Sequence, residues 1–154
     1  MKKIIYVFLL ALFIFSCSTD DGKPTENFDY LIFGHFYGFC AGETCIETFK
    51  LDSEKLYEDL EDNYAGGPFN FKVLDANKFE IAKDVIDFFP NELLLETNTT
   101  IGCPDCADGG GVFIEYAING EVKSWKIDQM KNNVPAYLHN FIDKVNNKIT
   151  LINK

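Results

Sequence analysis

Five cysteines, two histidines and 24 carboxylates are the groups in this 154-residue chain with chemistry beyond packing. Apart from Cys17, the cysteines form two local pairs, Cys40 with Cys45 and Cys103 with Cys106. Such thiols support three kinds of chemistry. They can oxidise to disulfides, and four cysteines allow three connectivities. They can bind zinc as four thiolates, although the Cys40 to Cys45 interval exceeds the usual two-residue spacing that Cys103-Pro104-Asp105-Cys106 does satisfy. They can also act as a redox dithiol. A redox Cys-x-x-Cys normally opens a helix, whose N-terminus lowers the attacking thiol's pKa. Here Ala107-Asp108-Gly109-Gly110-Gly111 follows, and that run does not readily propagate a helix.

Little else carries catalytic chemistry. His35 lies in an aromatic strand, where a histidine is usually a satisfied structural residue. His139 falls about 120° from the centre of the last helix's apolar arc and is expected to face solvent. Glu43 and Glu47, close to Cys40 and Cys45, could bind a cation or act as acid and base, but with 24 carboxylates such proximity arises by chance. The 109–111 glycine run lacks the Lys-Ser/Thr and helix start of a phosphate loop. No catalytic residue, metal ligand or cofactor is therefore expected, and an enzyme would require His35, Glu43 and Glu47 to meet around one open pocket. Nucleic acid is excluded as a partner: the net charge is −10, and all 14 cations are lysine, so the fork best suited to phosphate or guanine is missing.

The elements that must position these groups read as follows. Residues 28–39, dense in aromatics without helical period, predict one or two strands. Residues 46–51 and 56–60 flank a hairpin turn at 52–54, residues 64–68 are a loop, and 69–74 a further strand. A helix is predicted over about 78–89, with Asn77 and Glu80 as a capping box, Pro90 as its stop and a wide apolar face. Asn119-Gly120 is the preferred pair for a type I′ turn between strands 112–118 and 121–127. That turn sets Ile118 against Glu121, Ile114 against Trp125 and Val112 against Ile127 on a buried face, with Phe113, Lys126, Glu115 and Ser124 half solvated behind. A closing helix over about 135–147 follows, its apolar arc carrying Tyr137, Leu138, Phe141, Ile142, Val145 and Ile149. The class is α+β, a mostly antiparallel sheet with two packed helices in a single domain over residues 28–154.

Ahead of that domain, Lys2 and Lys3 precede an apolar run at 4–15, too short to span a bilayer and of the length of a secretory signal core. Ser16-Cys17 closes it. This arrangement resembles the lipobox of bacterial lipoproteins, with Phe15 departing from the usual small residue two places before the cysteine. The resemblance implies removal of residues 1–16, lipidation of Cys17 and attachment to the membrane through that lipid, stable when two or more acyl chains are present. Residues 17–27 then read as a flexible tether, and Ser18-Thr19-Asp20-Asp21 resembles acidic surface-export signals of some Gram-negative lipoproteins. The expected location is the Gram-negative cell envelope, lipid-anchored at the outer membrane. Lipoproteins mature outside the cytoplasm, where disulfides persist, which favours disulfides among the three cysteine chemistries.

Gly38-Phe39-Cys40-Ala41-Gly42-Glu43-Thr44-Cys45, a hairpin, a mid-chain helix and the Val134-Pro135-Ala136-Tyr137-Leu138 opening of the last helix resemble a family of uncharacterised domains in small exported bacterial lipoproteins with a Cys-x-Gly-x-Cys segment. The likeness covers most of residues 30–150. This chain carries one extra residue between the first two cysteines and adds the Cys103 and Cys106 pair. Relatives often have the first pair without the second, which implies local bridges, Cys40 to Cys45 and Cys103 to Cys106. The family lends no activity. The reading is a membrane-anchored, non-enzymatic binding or interaction domain for an unknown envelope protein or glycan. The alternative is an envelope thiol-redox or metal-binding protein using Cys40, Cys45, Cys103 and Cys106.

Overall fold

Strand-forming aromatic and β-branched residues between short turns build most of the domain. The computed structural model describes residues 28–154; the expected leader, Cys17 and the tether lie outside them. Its seven strands are β1 (Tyr30–Phe36), β2 (Ile46–Leu51), β3 (Leu56–Asp59), β4 (Phe71–Val73), β5 (Thr100–Ile101), β6 (Gly111–Ile118) and β7 (Glu121–Asp128), with helices α1 (Ala76–Ala82) and α2 (His139–Ile152). They form one sheet in the order β4-β3-β2-β1-β6-β7-β5. Every pairing is antiparallel except that of β5 with β7. The fold is α+β. None of the helices among the described residues is long and apolar enough to cross a membrane.

The central hairpin follows its turn chemistry. Asn119 and Gly120 take φ of 53° and 79°, the left-handed pair a type I′ turn requires. Ile118 pairs with Glu121, Ile114 with Trp125 and Val112 with Ile127, as that turn dictates. The β2–β3 turn is closed by Asp52, whose Oδ1 accepts the backbone N–H of Glu54 and Lys55 at 2.8 and 2.7 Å.

The helical segments depart from expectation in form. In place of one helix over 78–89, α1 begins at Ala76, with Asp75 as its N-cap, and passes at Lys83 into a 3-10 stretch, Lys83–Phe88. Asn77 is thus inside the helix and does not cap it. β-Branched Val85 and Ile86 between Asp84 and Asp87 are weak α-formers, and the tighter coil still buries both. Pro90 follows the extended Phe89, where the coil stops. The last helix also opens as a 3-10 turn, Ala136–Leu138, before α2 runs on past residue 147 to Ile152, because Ile149 and Ile152 continue the buried face.

These segments cover one face of the sheet. Leu31, Phe33, Phe49, Leu51, Ile114 and Trp125 pack there against Ala82, Val85, Phe141 and Val145. Phe89 joins the layers, its ring 4.6 Å from Tyr116, 5.5 Å from Phe141 and 6.4 Å from Trp125. The opposite face is less open than its sequence suggests. Phe113 is buried rather than half solvated, in a second cluster with Ile32, Phe36 and Ala65. The cover is the loop between β3 and β4, which lays Ala65 on the sheet and sets Phe69 5.8 Å from Phe113.

Candidate functional site

At the end of the sheet where β1 and β7 finish and β2 and β6 begin, the loops carrying all four domain cysteines come together. The β1–β2 loop is bridged by Cys40 and Cys45, with Cα atoms 5.7 Å apart. Tyr37 donates its backbone N–H to the Cys45 carbonyl at 3.0 Å, and Cys45 donates to the Gly42 carbonyl at 3.2 Å. Cys45 is buried, 6% exposed, and Cys40 is exposed. Outside this staple stands Phe39, 85% exposed beside a shallow depression it forms with Gly38, Cys40 and Ala41.

The second bridge joins Cys103 and Cys106, Cα atoms 5.5 Å apart, in the loop from β5 to β6. Both residues are exposed. Two aspartates hold this loop. Asp128, 1% exposed at the end of β7, accepts the N–H of Cys103 at 3.0 Å, that of Met130 at 2.8 Å and the Asn133 amide at 2.8 Å, which satisfies a buried carboxylate fully. Asp105 sits between the two cysteines and reaches outward: Oδ1 accepts the Gly110 N–H at 3.0 Å, and Oδ2 accepts the Gly38 N–H at 2.8 Å and the Tyr64 hydroxyl at 2.6 Å. One carboxylate thereby ties three loops, those of the first bridge, the second bridge and the β3–β4 cover. Tyr64 in turn packs edge-on against Phe36, with centroids 4.9 Å apart. Gly110, at φ 73°, leaves room for the Tyr37 ring, since a Cβ there would lie 2.1 Å from a ring carbon.

The clasp shapes its own protonation. The Tyr64 hydroxyl bond, with those of Gly38 and Gly110, outweighs burial and holds the Asp105 carboxyl below its usual value. The same bond, aided by burial, pushes Tyr64 up to about 12. Between those limits Asp105 is an anion and Tyr64 a donor.

The other candidates lie outside this clasp. His35 and Glu47 are directly opposite across β1 and β2. His35 directs Nε2 at the Thr44 carbonyl, 3.1 Å away. Burial lowers its pKa, and the bond to the Thr44 carbonyl opposes that in part. Glu47 instead lines a groove with Glu58, Thr44, Lys78 and the last residues of the chain. The side chain of Glu43 lies outside the described residues. His139 does not face solvent freely: it is half-buried, with Nε2 at 2.8 Å from the Lys131 carbonyl and 3.3 Å from that of Val134, fastening the turn ahead of α2. Among the described residues no three His, Cys, Asp or Glu side chains gather as metal ligands would.

Asp105, Tyr64 and Asp128 were not evident as site residues in the sequence. Asp105 did carry a signal, because aspartate is among the few residues that accept a left-handed backbone, and here it takes φ 61°. No protein-family model matches this chain, and no curated protein matches it.

Proposed function

We propose that this chain is a lipid-anchored protein of the Gram-negative envelope, of the Cys-x-Gly-x-Cys lipoprotein type, whose domain is a non-enzymatic interaction module. Residues 1–16 act as the leader, Cys17 carries the lipid, and the tether joins the domain at Phe28. The observation that carries the reading is the position and build of the double-bridged end. Phe28 enters at the start of β1, beside Asp29, which accepts the Gly120 N–H at 2.8 Å. Phe39 leaves at the other end of the same seven-residue strand. At roughly 3.3 Å per residue the two are about 20 Å apart, so the bridged loops lie at the end of the domain opposite Phe28. Phe39 is a large apolar side chain held out on a loop pre-ordered by a disulfide and by Asp105, which lowers the entropic cost of docking a partner protein or glycan.

The experiment has two arms. Cys17→Ser should release the protein from membranes or leave the precursor uncut; wild-type fractionation and migration would overturn the anchor. Phe39→Ser, which leaves both bridges intact, should abolish envelope cross-links made by wild type from a photoreactive group at Ala41. Unchanged cross-links would overturn this end as the contact surface.

A further inference from the structure

The two bridges at this end are built differently, and we infer that Cys103–Cys106 is a thiol-exchange site, opened by a small or protein-borne vicinal dithiol, whose opening unfastens Asp105 from the other two loops. Three observations carry this. Both residues of the bridge are exposed, whereas Cys45 of the other bridge is buried. Asp105, Ala107 and Asp108 adopt φ of 61°, 52° and 57°, three of the six non-glycine residues with left-handed backbone among the described residues, all within one loop. Aspartate tolerates this backbone, but for Ala107 it persists only where the surroundings enforce it, and the adjoining bridge is the covalent part of that enforcement. Finally, the carboxylate that spans to Gly38 and Tyr64 is carried inside the bridged ring itself.

The exchange balances as follows. A thiolate of the dithiol attacks one sulfur of the bridge, and the Cys103–Cys106 bond breaks as a mixed disulfide forms. The second thiolate of the dithiol displaces the remaining cysteine. The dithiol departs as its own disulfide, oxidised by two electrons, and its two protons end on the thiols of Cys103 and Cys106. With the ring open, Ala107 and Asp108 return to right-handed or extended backbone, and Asp105 moves away from Gly38 and Tyr64. Exposed bridges in a backbone that opposes them are the ones that exchange readily. No helix N-terminus supports either thiol: Cys106 opens only a three-residue 3-10 turn. The site therefore receives electrons as a switch rather than passing them on as an oxidoreductase.

Full-length mature protein in detergent would be equilibrated with graded ratios of reduced to oxidised dithiothreitol, quenched by acid, alkylated and mapped by mass. Cys103–Cys106 should open at a ratio at least tenfold lower than Cys40–Cys45. Simultaneous opening, or opening of Cys40–Cys45 first, overturns the assignment. Ala107→Gly removes one exposed methyl and the left-handed penalty, so the Cys103–Cys106 midpoint should move about tenfold toward more reducing ratios. An unmoved midpoint shows that the backbone does not drive the exchange and overturns its basis. Amide hydrogen exchange at Gly38 should quicken at least tenfold on opening while the Trp125 amide stays protected. Unchanged exchange at Gly38 overturns the coupling to Asp105.

Discussion

On one side of the sheet, α1, the 3-10 stretch after it and α2 press a continuous apolar layer onto Phe33, Ile114 and Trp125. On the other, Ile32, Phe36 and Phe113 lie beneath the single irregular segment that carries Ala65. The helical cover is redundant, since apolar residues recur every three or four positions and loss of one leaves neighbours in place. The loop cover depends on a few contacts: Phe69 stacked 5.1 Å from Phe71, Tyr64 on Phe36, and hydrogen bonds such as Asn63 Nδ2 to the Pro68 carbonyl at 2.7 Å. The same strands thus present a rigid face and an adjustable one, and the adjustable face adjoins the bridged loops through Tyr64 and Asp105.

Paired truncations test that contrast most sharply. Trp125→Ala should cost about 3–5 kcal/mol, the range for emptying a large, well-packed aromatic site. Phe113→Ala should cost about 2–3 kcal/mol, because a thin loop can settle into the space it leaves. Chemical denaturation of both variants would measure this, and equal losses would show the two faces to be packed alike. A near-neutral Trp125→Ala would break the assignment of the rigid face itself.

The hairpin that places Trp125 was legible because a two-residue turn fixes pairing by local chemistry, and the helical faces were legible because periodicity is local as well. The second cluster was not. Phe113 is buried by Ala65 and Phe69, which reach it only once β1 separates β2 from β6 in the sheet. β5 was equally hidden, since two residues gain strand character only from parallel pairing with Lys126 and Ile127. The cysteine positions were visible in the sequence. The Asp105 clasp joins Gly38, Tyr64 and Asp105 across separations of 67 and 41 residues, and no motif connects them.

Smaller effects sharpen the comparison on the adjustable side. Asp105→Asn keeps the shape and the left-handed tolerance but removes the charge. It should cost under about 1 kcal/mol, since solvent reaches Tyr64, which is 52% exposed. The same change should bring Tyr64 ionisation down from about 12 toward 10.0 in a difference titration of phenolate absorbance. No shift would mean that the two groups are not bonded in solution.

The smallest effect concerns His35. Its folded pKa is lowered, so its contribution to stability is fully present above the unfolded value of 6.5 and is lost as pH falls through the folded one. Stability measured across that window should decline on acidification, and His35→Gln should flatten the decline. An unaltered slope would place the imidazole in water.

The outermost strands of the sheet, β4 and β5, are only three and two residues long. A strand on the rim of a sheet is a template on which another molecule's backbone can crystallise into fibre-like stacks, and the hazard grows with the length of flat, unpaired rim. Beyond β5, the first half of β7 carries the exposed Glu121 and Lys123; Lys123 Nζ donates to the Leu94 carbonyl at 2.7 Å, and a neighbouring strand would have to strip water from the charge of Glu121. Copies of this domain held side by side at high density would meet rim to rim, and rims this short and charged let them crowd without zipping together.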